Sequence, residues 1–336
     1  MEEDSEFRQW DDLIPDALGL IFRHLPLQEI LTVIPRVCKS WGRAVTGPYC
    51  WQEIDIEQWS RHRRPEILHR MLEMLITRSA GALRKLCVSG LPNDQALPLI
   101  ADHYIVFLLS ILVASAKSLQ TLRLPRSEVN DPIMEQIAAR LSTLTFLDVS
   151  YCRNIGAPAL EAIGKHCKCL TGLRRNMYPR EIIDKFCQND EAVAIADTMP
   201  KLKHLEIAYL LIYTEAVLKI IMSCPDLQLL DVRGCWNVKL DVKRFLLCGL
   251  KVIGPLEDGY YDINGWDDCS NYSGSSGYLA WDFLAGEIDD DYDFELDYEM
   301  SDGIWGDEQS MEDVEMTFYD GFDFDHAGWF DWPPSP

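Results

Sequence analysis

A chain of 336 residues with 48% hydrophobic side chains has length for two or three folded units. Its formal net charge of −23 is not spread evenly: residues 257–336 hold 24 Asp and Glu and no Lys or Arg, leaving 30 acids against 31 bases elsewhere. An acidic tail is joined to a nearly neutral body, and neither half offers the basic stripe that nucleic acid requires.

The opening MEEDSEF is acidic and polar, unlike a secretory or transit leader. The longest uncharged apolar run, Tyr104 to Ala116, is thirteen residues and too short to span a bilayer. No membrane association is expected. The eleven cysteines then read as reduced thiols in the nucleus and/or cytoplasm. They show no CxxC pairing; Cys167-Lys168-Cys169 is the nearest approach to a metal spacing and reads better as packing in a repeat.

From Trp10 to Trp51 the apolar residues recur at helical spacing. Ile14, Leu18, Ile21, Phe22 and Leu25 form one stripe, with Pro15 suited to the first helical turn and Pro26 ending the helix. Leu27, Ile30, Leu31 and Ile34 predict a second short helix. Pro35 opens a third, with Val37, Cys38, Trp41 and Val45 inward. Three helices in about forty residues cannot bury this much apolar surface alone, which predicts a partner.

The spaced set Ile14-Pro15, Leu18, Ile21-Phe22, Leu25-Pro26, Val37-Cys38, Trp41 and Trp51 resembles the F-box. Ile14 stands where most members of that family carry leucine. The resemblance implies docking on a Skp-type adaptor and, through it, on the cullin and RING subunits of an SCF-type ubiquitin ligase. Carried over by position, the adaptor-binding residues would be Ile14, Pro15, Leu18, Ile21, Phe22, Leu25, Pro26, Val37, Cys38 and Trp41.

After a segment containing Arg61-His62-Arg63-Arg64-Pro65, a self-similar pattern begins: LRKLCVSGL, LQTLRLPRS, LTFLDVSYC, LTGLRRNMY, LKHLEIAYL and LQLLDVRGC, the fourth imperfect. Helix-like stretches such as APALEAIGKHC follow these cores. The pattern resembles the leucine-rich repeat, with Cys152 and Cys235 where that family has Asn or Cys. Leu86, Leu122, Leu147, Leu173, Leu205 and Leu230 are separated by 36, 25, 26, 32 and 25 residues. The long first interval contains the apolar run Tyr104 to Ala114, either an insertion from alternative splice-site use or a long repeat with a buried helix. The 32-residue interval predicts a loop near Arg180 to Asp190.

Residues flanking the inward leucines would line the concave face of such a solenoid: Lys85, Arg123, Asp148, Arg174, Glu206, Asp231 and Arg233. They are the expected client-binding ladder.

Beyond Gly254-Pro255, eighteen aromatics lie between Tyr260 and Trp332, interleaved with acids. That composition predicts a mostly disordered segment, serving a basic client, folding back on the arginines of the concave face, or acting only as a solubilising tail. The chain ends Trp332-Pro333-Pro334-Ser335-Pro336. An acidic start, F-box, short solenoid and acidic Trp-rich tail together resemble the short FBW-type F-box/leucine-rich-repeat proteins of plants.

No P-loop, GxSxG elbow or HExxH is present, and the seven histidines are scattered without ligand spacing. Acid pairs are plentiful in the tail, but catalytic carboxylates need a rigid pocket. No catalytic residue, metal or cofactor is predicted.

The expected architecture is α/β: an acidic arm over 1–9, a three-helix F-box over 10–55, a linker helix region over 56–78, a solenoid over 79–255 and the tail over 256–336. The expected role is that of a non-catalytic substrate receptor, recruiting an unidentified protein client for ubiquitination and degradation. Two alternatives stay open: a non-degradative adaptor-binding scaffold, and a nuclear regulator acting through the tail.

Overall fold

The computed structural model describes residues 13–61, 63–91, 118–178, 187–241, 245 and 249–255. The Tyr104 to Ala114 run, most of the expected loop after Tyr178 and the acidic tail lie outside the described residues. All the described residues belong to one compact unit.

Four short helices open the chain: α1 (Pro15–Phe22), α2 (Leu27–Thr32), α3 (Ile34–Val37) and α4 (Lys39–Thr46). Pro15 occupies the first turn of α1, where no intrahelical acceptor is lost. The helix expected from Pro35 onward is broken, because Cys38 is extended at φ −160° and ψ 168°. A single helix would hold Val37 and Trp41 on one face. The break turns Val37 outward and leaves Trp41 half-buried. A 3-10 turn, Pro48–Trp51, closes the bundle, and the buried Trp51 indole donates to the Val45 carbonyl at 2.8 Å.

The sheet begins within the segment expected to close the F-box. Strand β1 (Glu53–Asp55) pairs in parallel with β2 (Lys85–Cys87), and the ladder continues through β3 (Thr121–Arg123), β4 (Phe146–Asp148), β5 (Gly172–Arg174), β6 (His204–Glu206), β7 (Leu229–Asp231) and β8 (Lys251–Ile253). Eight parallel strands stand in sequence order, two more than the six cores visible in the sequence. Between β1 and β2 lie α5 (Glu57–Ser60) and α6 (Pro65–Ser79). In α6, Leu68, Met71, Leu72, Leu75 and Ile76 recur at helical spacing and are all buried. The region expected as a linker therefore packs as the helix of the first coil.

Later coils supply α7 (Asp131–Ala138), α8 (Ala157–His166), α9 (Asn189–Thr198) and α10 (Thr214–Ser223). Parallel neighbours need a crossover connection, and these helices provide it. The register aligns Ile54, Leu86, Leu122, Leu147, Leu173, Leu205, Leu230 and Val252 as one column. All but Val252 are at most 1% exposed. Burying each such side chain stabilises by about 1.5–3 kcal/mol, so the column is a main determinant of stacking.

A second column, Val88, Leu124, Val149, Arg175, Ile207 and Val232, follows two residues after each inward leucine. Arg175 is the odd member, a guanidinium 1% exposed at an aliphatic position. Its Nε donates to Glu191 Oε2 at 3.0 Å, and its other nitrogens reach the carbonyls of Cys152 at 3.0 Å and Ile155 at 2.6 Å. The imperfect fourth repeat is thus a buried ion pair between the β5 coil and α9.

Cysteines form rungs between coils. The thiols of Cys152 and Cys235 donate to the carbonyls of Leu124 and Ile207, one coil back, at 3.1 and 3.3 Å. Those of Cys167 and Cys224 reach Leu141 and Met199 at 3.1 and 3.4 Å. Burial pushes the Cys152 and Cys167 thiols up to about 12 and Cys224 to about 11. A thiol near 12 is almost wholly protonated at pH 8, and the thiolate is the nucleophile. Alkylation of the native chain is expected to modify exposed Cys169 and Cys187 far ahead of these four. Peptide mass spectrometry over a time course checks it; early labelling of Cys152 would contradict the stacking.

Candidate docking surfaces

The first candidate surface is on the helical bundle. In α1, Leu18 and Phe22 face inward at 0% and 3% exposure. Trp41 packs on Phe22 with ring centroids 5.0 Å apart, and Gly19 lies against Tyr49 and Cys50, where a Cβ would come 2.8 Å from Tyr49 Cβ. These contacts hold the bundle together, so Leu18 and Phe22, placed in the adaptor interface by sequence, serve instead as its core. Leu25, Cys38 and Trp41 are half-buried, while Pro15 and Pro26 are exposed.

What remains outside is strongly apolar. Ile14 is 67% exposed, Ile21 43% and Val37 50%, as a docking role needs. Leu13, Leu20 and Val33 are exposed too and escaped the sequence reading. Leu20 and Ile21 lie on the solvent side of α1, and Leu13 and Ile14 immediately precede the helix. The missed signal was this second apolar stripe, since a helix apolar on two faces serves two packings. Six large apolar side chains left in water on so small a bundle mark an interaction surface.

The second candidate is the outer face of the sheet. The register places Asp55, Cys87, Arg123, Asp148, Arg174, Glu206 and Asp231 side by side, one residue past the inward column. Lys85 stands in the neighbouring column with Thr121 and Phe146. The predicted ladder exists, but its charges face one another. Arg123 lies 2.9 Å from Glu57 and 3.4 Å from Asp148; Arg174 lies 2.8 Å from Glu206 and 3.9 Å from Asp148. Lys85 reaches Asp55 at 3.1 Å, and Arg233 reaches Asp231 at 2.6 Å.

Arg123, Asp148, Arg174 and Asp231 are buried. Burial would lower the Arg123 pKa, but Asp148 and Glu57 outweigh it and hold the guanidinium above its usual value. Burial also pushes the Glu57 carboxyl up, only partly offset by Arg123 and Arg61. Much of the ladder therefore neutralises itself; sequence spacing could place the charges but could not reveal that their partners were each other.

Phe146 fits into this face because Gly172 has no side chain: a Cβ there would come 2.5 Å from Phe146 Cδ2. The Arg174 guanidinium lies over the same ring at 5.4 Å.

Cys167 and Cys169 do not converge, one being buried and the other exposed. Among the described residues no group of three or more His, Cys, Asp or Glu could hold a metal ion. No described helix is long and apolar enough to cross a membrane.

Comparison with known proteins identifies the family. The F-box domain pattern matches residues 10–53, the segment that ends at the first residue of β1. Over 343 residues covering all of both chains, the sequence is 51% identical to F-box protein FBW2 of Arabidopsis thaliana. It is 34% identical to F-box protein SKIP1 of the same plant, covering 70% of this chain and 81% of that one. Putative F-box/LRR-repeat protein 23, also from Arabidopsis, is 29% identical over 72% of this chain and 52% of its own length. With a matching N-terminal domain, a repeat array behind it and a full-length relative at that identity, the chain belongs to the plant F-box proteins.

Proposed function

We propose that this protein is the substrate-recognition subunit of an SCF-type ubiquitin ligase, working in the nucleus and/or cytoplasm. The observation that carries the reading is the row Ile14, Ile21, Val33 and Val37, left in water by a bundle whose own core is already filled by Leu18, Phe22, Ile30 and Ile34. The Skp-type adaptor is the partner that an F-box implies, and the cullin with its RING subunit follows through that adaptor. The solenoid holds the protein client.

The chain's contribution is proximity. Binding client and adaptor on one scaffold makes ubiquitin transfer effectively intramolecular, with a high local concentration and no bond made by the receptor itself. Because β1 continues from the F-box into the sheet and α6 packs as its first helix, few loop residues separate the adaptor face from the client face.

Co-precipitation of adaptor and cullin with the full chain tests this. Capture by wild type and loss from the combined Ile14→Ala, Ile21→Ala, Val37→Ala variant supports the role. Equal failure of two folded proteins removes it. Clients that accumulate on proteasome inhibition support degradation; bound clients of unchanged abundance favour a non-degradative scaffold.

A further inference from the structure

Three residues past each strand, the backbone of five coils turns left-handed, at Gly90, Arg126, Tyr151, Tyr209 and Gly234, with φ between 58° and 70°. Glycine takes that conformation without penalty, and two coils use it. Arg126, Tyr151 and Tyr209 carry full side chains there, in a conformation unfavourable to any residue with a Cβ. Strain retained in a repeat that elsewhere uses glycine points to work for the side chains.

Two of them, Arg126 and Tyr151, open a row beside the sheet that Tyr178 and Arg153 continue. The Arg126 guanidinium sits 5.8 Å over the Tyr151 ring. Tyr151 and Tyr178 pack with centroids 4.7 Å apart, and Arg153 sits 5.5 Å over Tyr178. Arg126 Nε is buried with no hydrogen-bond partner, and Arg126 makes no ion pair among the described residues. Unlike Arg123 and Arg174 on the neighbouring face, this cation is met by π-faces rather than by a carboxylate. Such a row fits an extended segment bearing carboxylates among aromatic rings.

The chain contains one. Tyr319 to Trp332, YDGFDFDHAGWFDW, has four aspartates, six aromatics and no Lys or Arg. About 60 residues separate Pro255 from Tyr319, enough chain to reach any strand of an eight-stranded sheet about 34 Å wide.

We propose that the segment Tyr319–Trp332 docks on the Arg126–Tyr151–Tyr178–Arg153 row of its own chain, its aspartates on the guanidiniums and its rings on the tyrosines. A client entering by the same edge must displace it, so the segment selects for clients with acidic, aromatic segments of higher affinity. That consequence rests on the receptor role proposed above, whereas the docking does not.

A photo-cross-linking phenylalanine analogue in place of Phe324 of the full chain tests the docking. Irradiation of dilute protein is expected to join Phe324 to peptides holding Arg126, Tyr151 to Arg153 or Tyr178, within one chain. The combined Arg126→Gln, Arg153→Gln variant and high salt should each reduce that product about fivefold or more. An unchanged melting temperature confirms that the variant is folded; if it is not, Arg153→Gln alone, at an exposed position, serves. Cross-links that map elsewhere, form only between chains, or persist in the variant overturn the proposal. Adaptor capture by the same preparation separates the two ideas: its loss with the cross-link intact removes the receptor role and leaves the docking standing.

Discussion

Ile14→Asp and Val37→Asp are each expected to weaken adaptor binding by about 100-fold or more, with the melting temperature of the free chain not lowered. Both side chains are at least half exposed, so the folded monomer loses little when they change. In a complex, each aspartate would leave a buried charge unpaired at an apolar contact, costing several kcal/mol, and about 2.7 kcal/mol is already a hundredfold. Leu18→Ala is the contrasting control. Leu18 is fully buried in the bundle, so it should lose about 2–5 kcal/mol of stability and weaken binding only through unfolding. Calorimetric titration with purified adaptor, beside circular dichroism melts, distinguishes the two. A melting temperature that falls with Ile14→Asp would mean that the apolar row belongs to the bundle's own core.

The second large effect is expected inside the solenoid. Arg175→Leu should destabilise the chain by about 3–5 kcal/mol, although leucine suits the repeat pattern better, because it leaves a buried carboxylate without its cation. Glu191 is 7% exposed, and among the described residues its carboxylate otherwise accepts from the Gln188 side-chain amide at 2.9 Å. Adding Glu191→Gln to Arg175→Leu removes the orphaned charge and should recover at least half of the loss. Urea unfolding of the four chains of this double-mutant cycle gives the coupling directly. An Arg175→Leu chain as stable as wild type would show that the arginine is not packed between the β5 coil and α9. The Cys152 and Ile155 carbonyls, which accept from Arg175, lose a donor in either variant, so recovery should be incomplete.

The elements differ in how far they could be read in advance. Six inward leucines announced themselves because burial against the next coil demands the same residue type at every turn. Strands β1 and β8 did not, since each flanks only one neighbour and EID and KVI lack the leucine spacing. The F-box was legible as a family pattern, yet the pattern mixes residues that build the bundle with residues that face a partner. Spacing alone could not separate Leu18 from Ile14, both apolar and one helical turn apart; which of them meets water depends on where α4 and the 3-10 turn pack.

For this protein the order of amino acids determined the helical start, the repeat, its inward column and the acidic aromatic end, because each is a matter of periodicity or composition along the chain. The tertiary structure decided which apolar stripe of α1 stays in water, which coil admits a buried arginine, and that the expected client-binding charges largely neutralise one another. Those outcomes depend mainly on distances between residues about 16 or more apart in sequence, and only packing sets such distances.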